Sequence, residues 1–206
     1  MFRPERSKHT YRLSLRPCHR IYSKKMIATV RECTEADAAT LALIGAATLL
    51  EAFAGFVPGD ALLAHCRKYH FPAVYASLFQ QPQTRAWLAE VEPGAAPVGY
   101  AMLTAPDFPA GLSHEGDLEL RRIYLFSKFH GSGASRGMMD RAIASARQQN
   151  AKRLLLGVHP DNQRALAFYR KVGFVQIGVR TFHVGDCAFQ DPVLALSLNA
   201  DWEEQR

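Results

Sequence analysis

The chain has 206 residues, of which 48% are hydrophobic and 21% charged, enough apolar material for one domain with its own core. Its longest apolar stretch, residues 38–56, is interrupted by Thr40, Gly45, Thr48 and Glu51, so we expect an amphipathic helix, a soluble protein and no membrane partner. The net charge of +6 is uneven, because eight of the 25 bases and one of the 19 acids lie in residues 1–25. The other 17 bases meet 18 acids, which argues against a nucleic-acid partner.

Residues 1–25 are predicted to form a basic N-terminal extension, and residues 26–206 a single domain. The extension is rich in Arg, contains Ser and has one acid, which leaves three origins open: an upstream start ahead of Met26, an organellar transit peptide, or a basic arm for polyanions. The four cysteines, at positions 18, 33, 66 and 187, have no metal-ligand spacing. We therefore expect no metal, unpaired thiols and a reducing, cytoplasmic location.

Hydrophobic periodicity and turn residues predict the elements in chain order. The first strand begins at Met26, and Thr34 with Asp37 forms a helix-start signature before an Ala/Leu-rich stretch. The remaining predictions are a helix over 62–69, a hairpin of strands 84–91 and 97–104, a long strand over 117–126, a helix over 133–149, a strand over 153–158, a helix over 162–172, and two last strands around Gly185-Asp186. The order is β, α, α, a hairpin, then βαβαββ.

A glycine-rich segment, residues 130–137, lies between the long strand and the following helix. Gly131 and Gly133 would let main-chain N–H groups and the helix dipole converge on an anion such as a pyrophosphate. An ordinary turn is the plain alternative. A dinucleotide-binding motif is disfavoured, because it should open the first βαβ unit and precede an acid by about 20 residues, where this chain has Arg153.

A second motif, over residues 162–174, reads Asn-x-x-Ala-x-x-Phe-Tyr-x-x-x-Gly-Phe. Asn162, Ala165 and Tyr169 have the spacing i, i+3 and i+7, so one helix face presents all three. Such a stripe by itself would suit a core face. In order after the glycine-rich segment, it resembles the GCN5-related N-acetyltransferase (GNAT) superfamily.

The resemblance implies a mixed, mostly antiparallel α/β sheet of about seven strands flanked by helices, and acetyl-CoA as co-substrate. It implies that Tyr169 protonates the departing thiolate, that Asn162 contacts the pantetheine arm, and that the strand backbone at 123–125 pairs with the pantetheine amides. His130 and Ser135 depart from the superfamily pattern of the phosphate loop. The implied cofactor-binding residues are Ile123, Tyr124, Leu125, His130, Gly131, Ser132, Gly133, Ala134, Ser135, Arg136, Asn162, Ala165 and Tyr169.

Glu115, Asp117 and Glu119 alternate into the long strand, and an extended chain there would place three carboxylates on one face. That face would suit a cationic amine, whose proton must be removed because an ammonium of pKa about 10.4 cannot attack a thioester. The resemblance favours Glu119 as the catalytic carboxylate, acting through water or with a pKa raised by burial. It also makes Phe53 and Phe56, by the acceptor-side helix, candidate substrate contacts.

Residues 115–199 are most similar to PaiA-type spermidine/spermine N-acetyltransferases, with weaker similarity over 27–104. The resemblance implies direct transfer of acetyl to a primary amine, a polyamine or similar small cationic amine, in a ternary complex. Three alternatives stay open: acetylation of a protein N-terminus, lysine or amino-sugar, a CoA-binding regulator without turnover, and a nucleic-acid-associated protein. The oligomeric state, monomer or homodimer, is also open.

Overall fold

The computed structural model describes residues 27–198, so the basic extension and Cys18 lie outside the described residues. This range contains seven strands and five α-helices. The strands are β1 Ala28–Glu32, β2 Arg85–Val91, β3 Ala96–Thr104, β4 Asp117–Leu125, β5 Arg153–Gly157, β6 Val175–Val184 and β7 Cys187–Ser197. The helices are α1 Ala38–Phe53, α2 Gly59–Tyr69, α3 Pro72–Phe79, α4 Ala134–Gln148 and α5 Gln163–Val172.

The strands form one sheet in the order β1-β2-β3-β4-β5-β7-β6. Neighbouring strands are antiparallel, except that β4 and β5 are parallel and are joined through α4. The predicted mixed, mostly antiparallel sheet of seven strands flanked by helices is therefore confirmed. The two-residue turn at Gly185-Asp186 sets the β6–β7 register, in which Val184 pairs with Cys187.

Strand alternation sorts the buried side chains into layers on the two faces of the sheet. On β2, Trp87 and Ala89 face the core shared with α4 and α5, whereas Ala86 and Leu88 face the core shared with α1 and α3. A third cluster joins the end of α1 and α2 to the β6–β7 hairpin through Val184. The sheet is covered on both faces, so its middle strands are buried.

The start of α1 follows the predicted signature, since the Thr34 N–H donates to Asp37 Oδ2 at 2.9 Å and a 3-10 turn, Glu35–Asp37, leads into the helix. Within the described residues, the stretch Glu35–Phe53 is long and apolar enough to cross a membrane, a test that the core helix of a globular fold also passes. In the structure, α1 buries Leu41 and Ile44 against α3 and the sheet.

Helix α3 lies between residues 69 and 84, where the sequence analysis predicts no element. Proline is favoured in the first turn of a helix, where its missing N–H has no intrahelical acceptor, and Pro72 is the first residue of α3. The helix buries Tyr75 and Leu78 under α1. Tertiary packing therefore stabilises an eight-residue segment that is too short to be stable alone.

Candidate active site

A cleft of about 1400 Å³ opens where β4 and β5 separate. The two strands pair only over Asp117–Glu119 of β4 and Arg153–Leu155 of β5. Beyond Glu119, β4 continues with β3 as its one paired neighbour, so its other edge faces the cleft. The second half of β4, the loop before α4, and α5 all line this space.

The exposed edge of β4 offers main-chain groups at two of the three predicted positions. The Phe126 N–H donates to Val98 O, and pairs alternate along an antiparallel ladder, so Tyr124 bonds to β3 through both main-chain groups. The N–H and C=O of Ile123 and Leu125 therefore point away from β3, toward the cleft. An extended amide-bearing ligand could add to this edge as a strand would.

The glycine-rich loop leaves four main-chain N–H groups without acceptors among the described residues, those of Gly131, Gly133, Ser135 and Arg136. Gly131 and Gly133 have φ values of 81° and 91°, and Gly133 caps the first turn of α4. The amides at the other three predicted loop positions are already bonded: His130 N–H to Ser127 O, Ser132 N–H to Phe129 O, and Ala134 N–H to Ser132 Oγ. The four free donors at a helix N-terminus form a cradle for phosphate oxygens.

His130 is held sideways at the edge of this cradle. Its Nε2 lies 3.0 Å from Leu125 O, and the Arg164 guanidinium contacts both of its ring nitrogens. Burial and the adjacent Arg164 lower the pKa of His130, so the neutral ring is favoured. The contact places the Arg164 cation beside the loop, and Arg136 also lines the cleft. Arg164, which the sequence analysis did not select, therefore supplies positive charge beside His130.

Helix α5 presents Asn162, Ala165 and Tyr169 to the cleft, as the spacing predicted. Asn162 caps the helix, its Oδ1 accepting from the Ala165 N–H at 3.1 Å, which leaves its amide NH₂ free for a ligand. The Tyr169 ring is buried beside Phe168 and Phe174, and its hydroxyl has no hydrogen-bond partner among residues 27–198. Burial raises the pKa of Tyr169, so the phenol keeps its proton.

Glu119 lies buried at the base of the cleft with its carboxylate already engaged. Its Oε2 accepts from the Asp107 N–H at 3.0 Å and lies 3.5 Å from Arg121 Nε, and its Oε1 lies 3.4 Å from Arg180 Nη1. Burial raises the pKa of Glu119, while Arg121 and Arg180 oppose that shift. A raised pKa was expected for a catalytic carboxylate, but the two arginines were not.

The expected row of three carboxylates on one strand face is wrong. Strand β4 begins at Asp117, after Gly116 with φ of 90°, so Glu115 is an exposed loop residue outside the cleft. Asp117 is buried and paired with Arg153 on β5, at 2.5 Å for Oδ2 to Nη2 and 3.0 Å for Oδ1 to Nε. Asp117 joins the paired ends of β4 and β5, and of the three acids only Glu119 lines the cleft.

Aromatic rings enclose the opposite end of the cleft. Phe53 and Phe56, both predicted as substrate contacts, lie 6.0 and 5.9 Å from the ring of His159, and Phe189 lies 4.9 Å from it. His159 follows β5; its Nδ1 accepts from the Asp161 N–H, and its Nε2 is buried without a partner among the described residues. A histidine directly after a strand end, between the two motifs, was the signal that sequence reasoning passed over.

Two charged residues of the β6–β7 hairpin were also missed, Arg180 and Asp191. They are cross-strand partners, and both line the cleft. The Cζ atom of Arg180 lies 4.7 Å from the ring centroid of Phe108 and 5.4 Å from that of Phe182. Its guanidinium also contacts Glu119. Asp191 is 5% exposed, and its Oδ1 has no hydrogen-bond partner among residues 27–198. The predicted turn already fixed their pairing, but no motif marked either strand as part of a site.

A mixed sheet that opens between two parallel strands, with an amide cradle at the start of the next helix, is the architecture of the acetyltransferase (GNAT) family. The chain belongs to this family, whose model matches residues 52–174. Among curated proteins it is 41% identical over 101 residues to an uncharacterized N-acetyltransferase of Mycobacterium tuberculosis, a match that covers 49% of this chain and 60% of that protein.

Solved structures share the fold at low sequence identity. The PaiA N-acetyltransferase of Thermoplasma acidophilum, in complex with coenzyme A, matches with a TM-score of 0.64 at 16% identity, over 84% of this chain and 99% of that one. The ribosomal-protein-S18-alanine N-acetyltransferase of Escherichia coli matches with a TM-score of 0.55 at 16% identity, over 84% and 95% of the two chains. These likenesses concern the fold.

Proposed function

We propose that this chain is an acetyl-CoA-dependent N-acetyltransferase that transfers acetyl directly to a primary amine in a ternary complex. One observation supports it most: a single cleft is lined by an anion cradle with four free amides and also by two buried carboxylates and several aromatic rings. The family membership agrees with this assignment. Acetyl-CoA supplies the acetyl group as a thioester.

Each group of cleft residues is proposed to contact a different part of acetyl-CoA. The amides of Gly131, Gly133, Ser135 and Arg136 would bind the pyrophosphate. The N–H and C=O of Ile123, the Leu125 N–H and the Asn162 side chain would hold the pantetheine arm, since the Leu125 carbonyl is already bonded to His130. The Tyr169 hydroxyl would give its proton to the departing thiolate. His130, Ser132 and Ala134 shape the loop, and Ala165 leaves room on the α5 face.

A small cationic amine, with polyamines as the first class to test, is the proposed acceptor. Glu119 and Asp191 supply negative charge, and the rings of Phe53, Phe56 and Phe189 offer faces that attract an ammonium. Arg121 and Arg180 compensate part of that charge, which favours one ammonium near the carboxylates over several. A small-molecule amine is thus the expected partner, in a cytoplasmic setting.

The test is release of free thiol from acetyl-CoA by the full chain with spermidine, spermine, lysine, an N-terminal peptide and an aminoglycoside. Rapid release with the polyamines supports both the reaction and the acceptor. Release only with the peptide or aminoglycoside keeps the reaction and replaces the acceptor. Calorimetric binding of acetyl-CoA without release for any amine would contradict the proposal and favour a CoA-binding regulator.

A further inference from the structure

Asp191 is a buried residue whose carboxylate is not hydrogen-bonded within residues 27–198. It is 5% exposed on β7 and makes no hydrogen bond or ion pair with any residue in the described range 27–198. Leaving a buried charged group unpaired costs several kcal/mol, so natural proteins rarely do so without a functional reason. The carboxylate lines the cleft, where a bound ligand could complete its hydrogen bonds.

The surroundings of Asp191 match an ammonium ion. Phe189 stands two residues earlier on the same face of β7 and packs on His159, which contacts Phe53 and Phe56. Ring faces and a carboxylate together are the groups that recognise an alkylammonium. The charged or titratable groups that act on Asp191 are Arg180 from β6, His159 from the loop after β5, and Tyr124 from β4.

Both carboxylate oxygens of Glu119 contact other protein groups, unlike the buried Oδ1 of Asp191. The Asp107 N–H and Arg121 contact Oε2 of Glu119, and Arg180 contacts Oε1, so an ammonium that approaches Glu119 would meet two cations already beside it. Arg180 could pair with either acid, yet its 3.4 Å contact is to Glu119. Arg180 is therefore within ion-pair distance of Glu119 but not of Asp191, its cross-strand neighbour, although its charge still acts on Asp191.

We propose that Asp191 binds the acceptor ammonium and takes its proton, and that Glu119 is a positioning residue that holds Arg180 away from this site. This assignment rests on the proposed function and specifies its acceptor subsite. One proton passes from the ammonium nitrogen to the Asp191 carboxylate and then to solvent. The neutral amine forms the C–N bond as the C–S bond breaks, and Tyr169 gives its proton to the departing thiolate. The second amine proton is lost to solvent, and a proton from solvent restores the Tyr169 phenol, so the protons balance.

Kinetics of Asp191→Asn form the first test, with Asp186→Asn as the matched control, since Asp186 is an exposed acid on the turn of the same hairpin. At saturating acetyl-CoA, Asp191→Asn is expected to lower kcat/KM for n-butylamine by about 10²–10⁴-fold. Hydroxylamine is neutral at the assay pH, so its loss should stay below about tenfold. Wild-type kinetics in Asp191→Asn, or equal losses with both nucleophiles, would overturn the assignment.

Binding provides a readout that needs no turnover. Calorimetry of n-butylamine, with the protein saturated with CoA, is expected to show at least about tenfold weaker binding for Asp191→Asn than for wild type or Asp186→Asn. Equal binding by wild type and Asp191→Asn, or none by wild type, contradicts the amine site. Binding that depends on Asp191 in a protein without turnover would retain the site and reject the proposed function.

Thermal unfolding separates a ligand role from a structural one. Removing an unpartnered buried charge relieves desolvation, so the Asp191→Asn midpoint should equal or exceed that of wild type. A fall of more than about 4 °C would show that Asp191 stabilises the fold and would count against the proposal. Glu119→Gln provides the contrast: because it weakens the hold on Arg180, we expect a lower midpoint and a loss of kcat/KM.

Discussion

At the scale of single residues, Tyr169 is fixed by its ring and free at its hydroxyl. Phe168 and Phe174 pack at centroid distances of 5.6 and 5.8 Å, while the hydroxyl meets no partner in the described part of the chain. Burial raises the pKa of Tyr169, which keeps the proton on the phenol before the reaction. Packing thus provides the position, and the cleft determines what the hydroxyl can meet.

Replacing Tyr169 by Phe removes the hydroxyl and preserves the ring contacts. We expect turnover to fall by at most about 10²–10⁴-fold, the usual range of general acid catalysis, with acetyl-CoA affinity nearly unchanged. Steady-state kinetics and calorimetry measure the two quantities. Wild-type turnover would remove Tyr169 as the acid, and a large loss of affinity would show that the ring, not the hydroxyl, had been disturbed.

Gly157 is the residue that makes room for Arg180. A Cβ added there would lie 2.7 Å from Arg180 Cζ, so Gly157→Ala must displace the guanidinium and break its 3.4 Å contact with Glu119. Because a flexible side chain can move, we expect a stability loss of no more than about 1 kcal/mol and a drop in kcat/KM of tenfold or more, about 1.4 kcal/mol.

The control for this substitution is Gly59→Ala, where nothing lies within 4 Å of the added Cβ and the cleft is not involved. We expect its kinetics to match wild type. Denaturant unfolding and steady-state kinetics of both variants check the prediction. Equal kcat/KM for Gly157→Ala and wild type would mean that the Arg180–Glu119 contact has no part in amine acetylation.

At the scale of elements, the turn from β4 into α4 forms the cradle. Two glycines with positive φ let the chain reverse without side chains in the way, and the first turn of α4 adds its own unpaired N–H groups. Glu51, near the C-terminal end of α1, accepts from Ser127 N and Oγ and ties the turn to the far helix. The cradle is thus positioned by contacts on both sides of the sheet.

A matched pair of glycines separates strain from binding. Gly133 and Gly111 have φ values of 91° and 89°, and neither has any atom within 4 Å of an added Cβ. Gly133→Ala and Gly111→Ala should both lose about 1–2 kcal/mol of stability from the left-handed backbone. Only Gly133→Ala should weaken acetyl-CoA binding, by about tenfold or more, since only Gly133 belongs to the cradle. Equal affinities by calorimetry would contradict the location of the cradle.

At the scale of the whole molecule, the two faces of the sheet have different chemistry. The face under α4 and α5 is apolar, whereas the face under α1 and α3 buries a polar cluster beside the cleft. Its members include His70, whose Nδ1 is 2.8 Å from the Tyr75 hydroxyl, and Tyr75 in turn donates to Tyr100. Gly45 leaves space for the His70 ring and the Tyr75 hydroxyl, because a Cβ at this position would collide with both groups.

Burial lowers the pKa of His70 from 6.5 to about 3, so the folded protein holds a neutral ring. The unfolded chain takes up the proton near pH 6.5, and the folded chain only near pH 3. Above pH 6.5, His70 is neutral in both states and does not lower the free energy of unfolding. As the pH falls from 6.5 toward 3, only the unfolded chain takes up the proton, so the free energy of unfolding decreases progressively. At pH 5, protonation of His70 in the unfolded chain should lower the free energy of unfolding by about 2 kcal/mol.

His70→Asn should flatten the decline in unfolding free energy between pH 7 and pH 5 by about that amount, 2 kcal/mol, although the variant is less stable at pH 7. Urea unfolding at the two pH values measures the difference. The control is His114→Asn, which removes an imidazole from an exposed loop without touching the buried cluster. An unchanged slope in His70→Asn would show that this histidine is not the group that titrates.

The sequence alone was sufficient wherever the determinant is local. Apart from α3, the order of strands and helices follows from periodicity, the cradle from two glycines before a helix, and the α5 face from the spacing of Asn162, Ala165 and Tyr169. The Gly185-Asp186 turn even fixed the pairing of Arg180 with Asp191. In each case a few neighbouring residues set the backbone, and the backbone orients the groups.

Only the tertiary structure decided which acids are free. Asp117 and Glu119 are two residues apart on one strand, yet Arg153 from β5 occupies the first, and Arg121 with Arg180 from β6 occupies the second. Asp191, in a strand without a motif, has no hydrogen-bond partner on its Oδ1 within residues 27–198. The fate of a buried carboxylate depends on cations brought from distant segments, and that long-range arrangement is not encoded in local spacing.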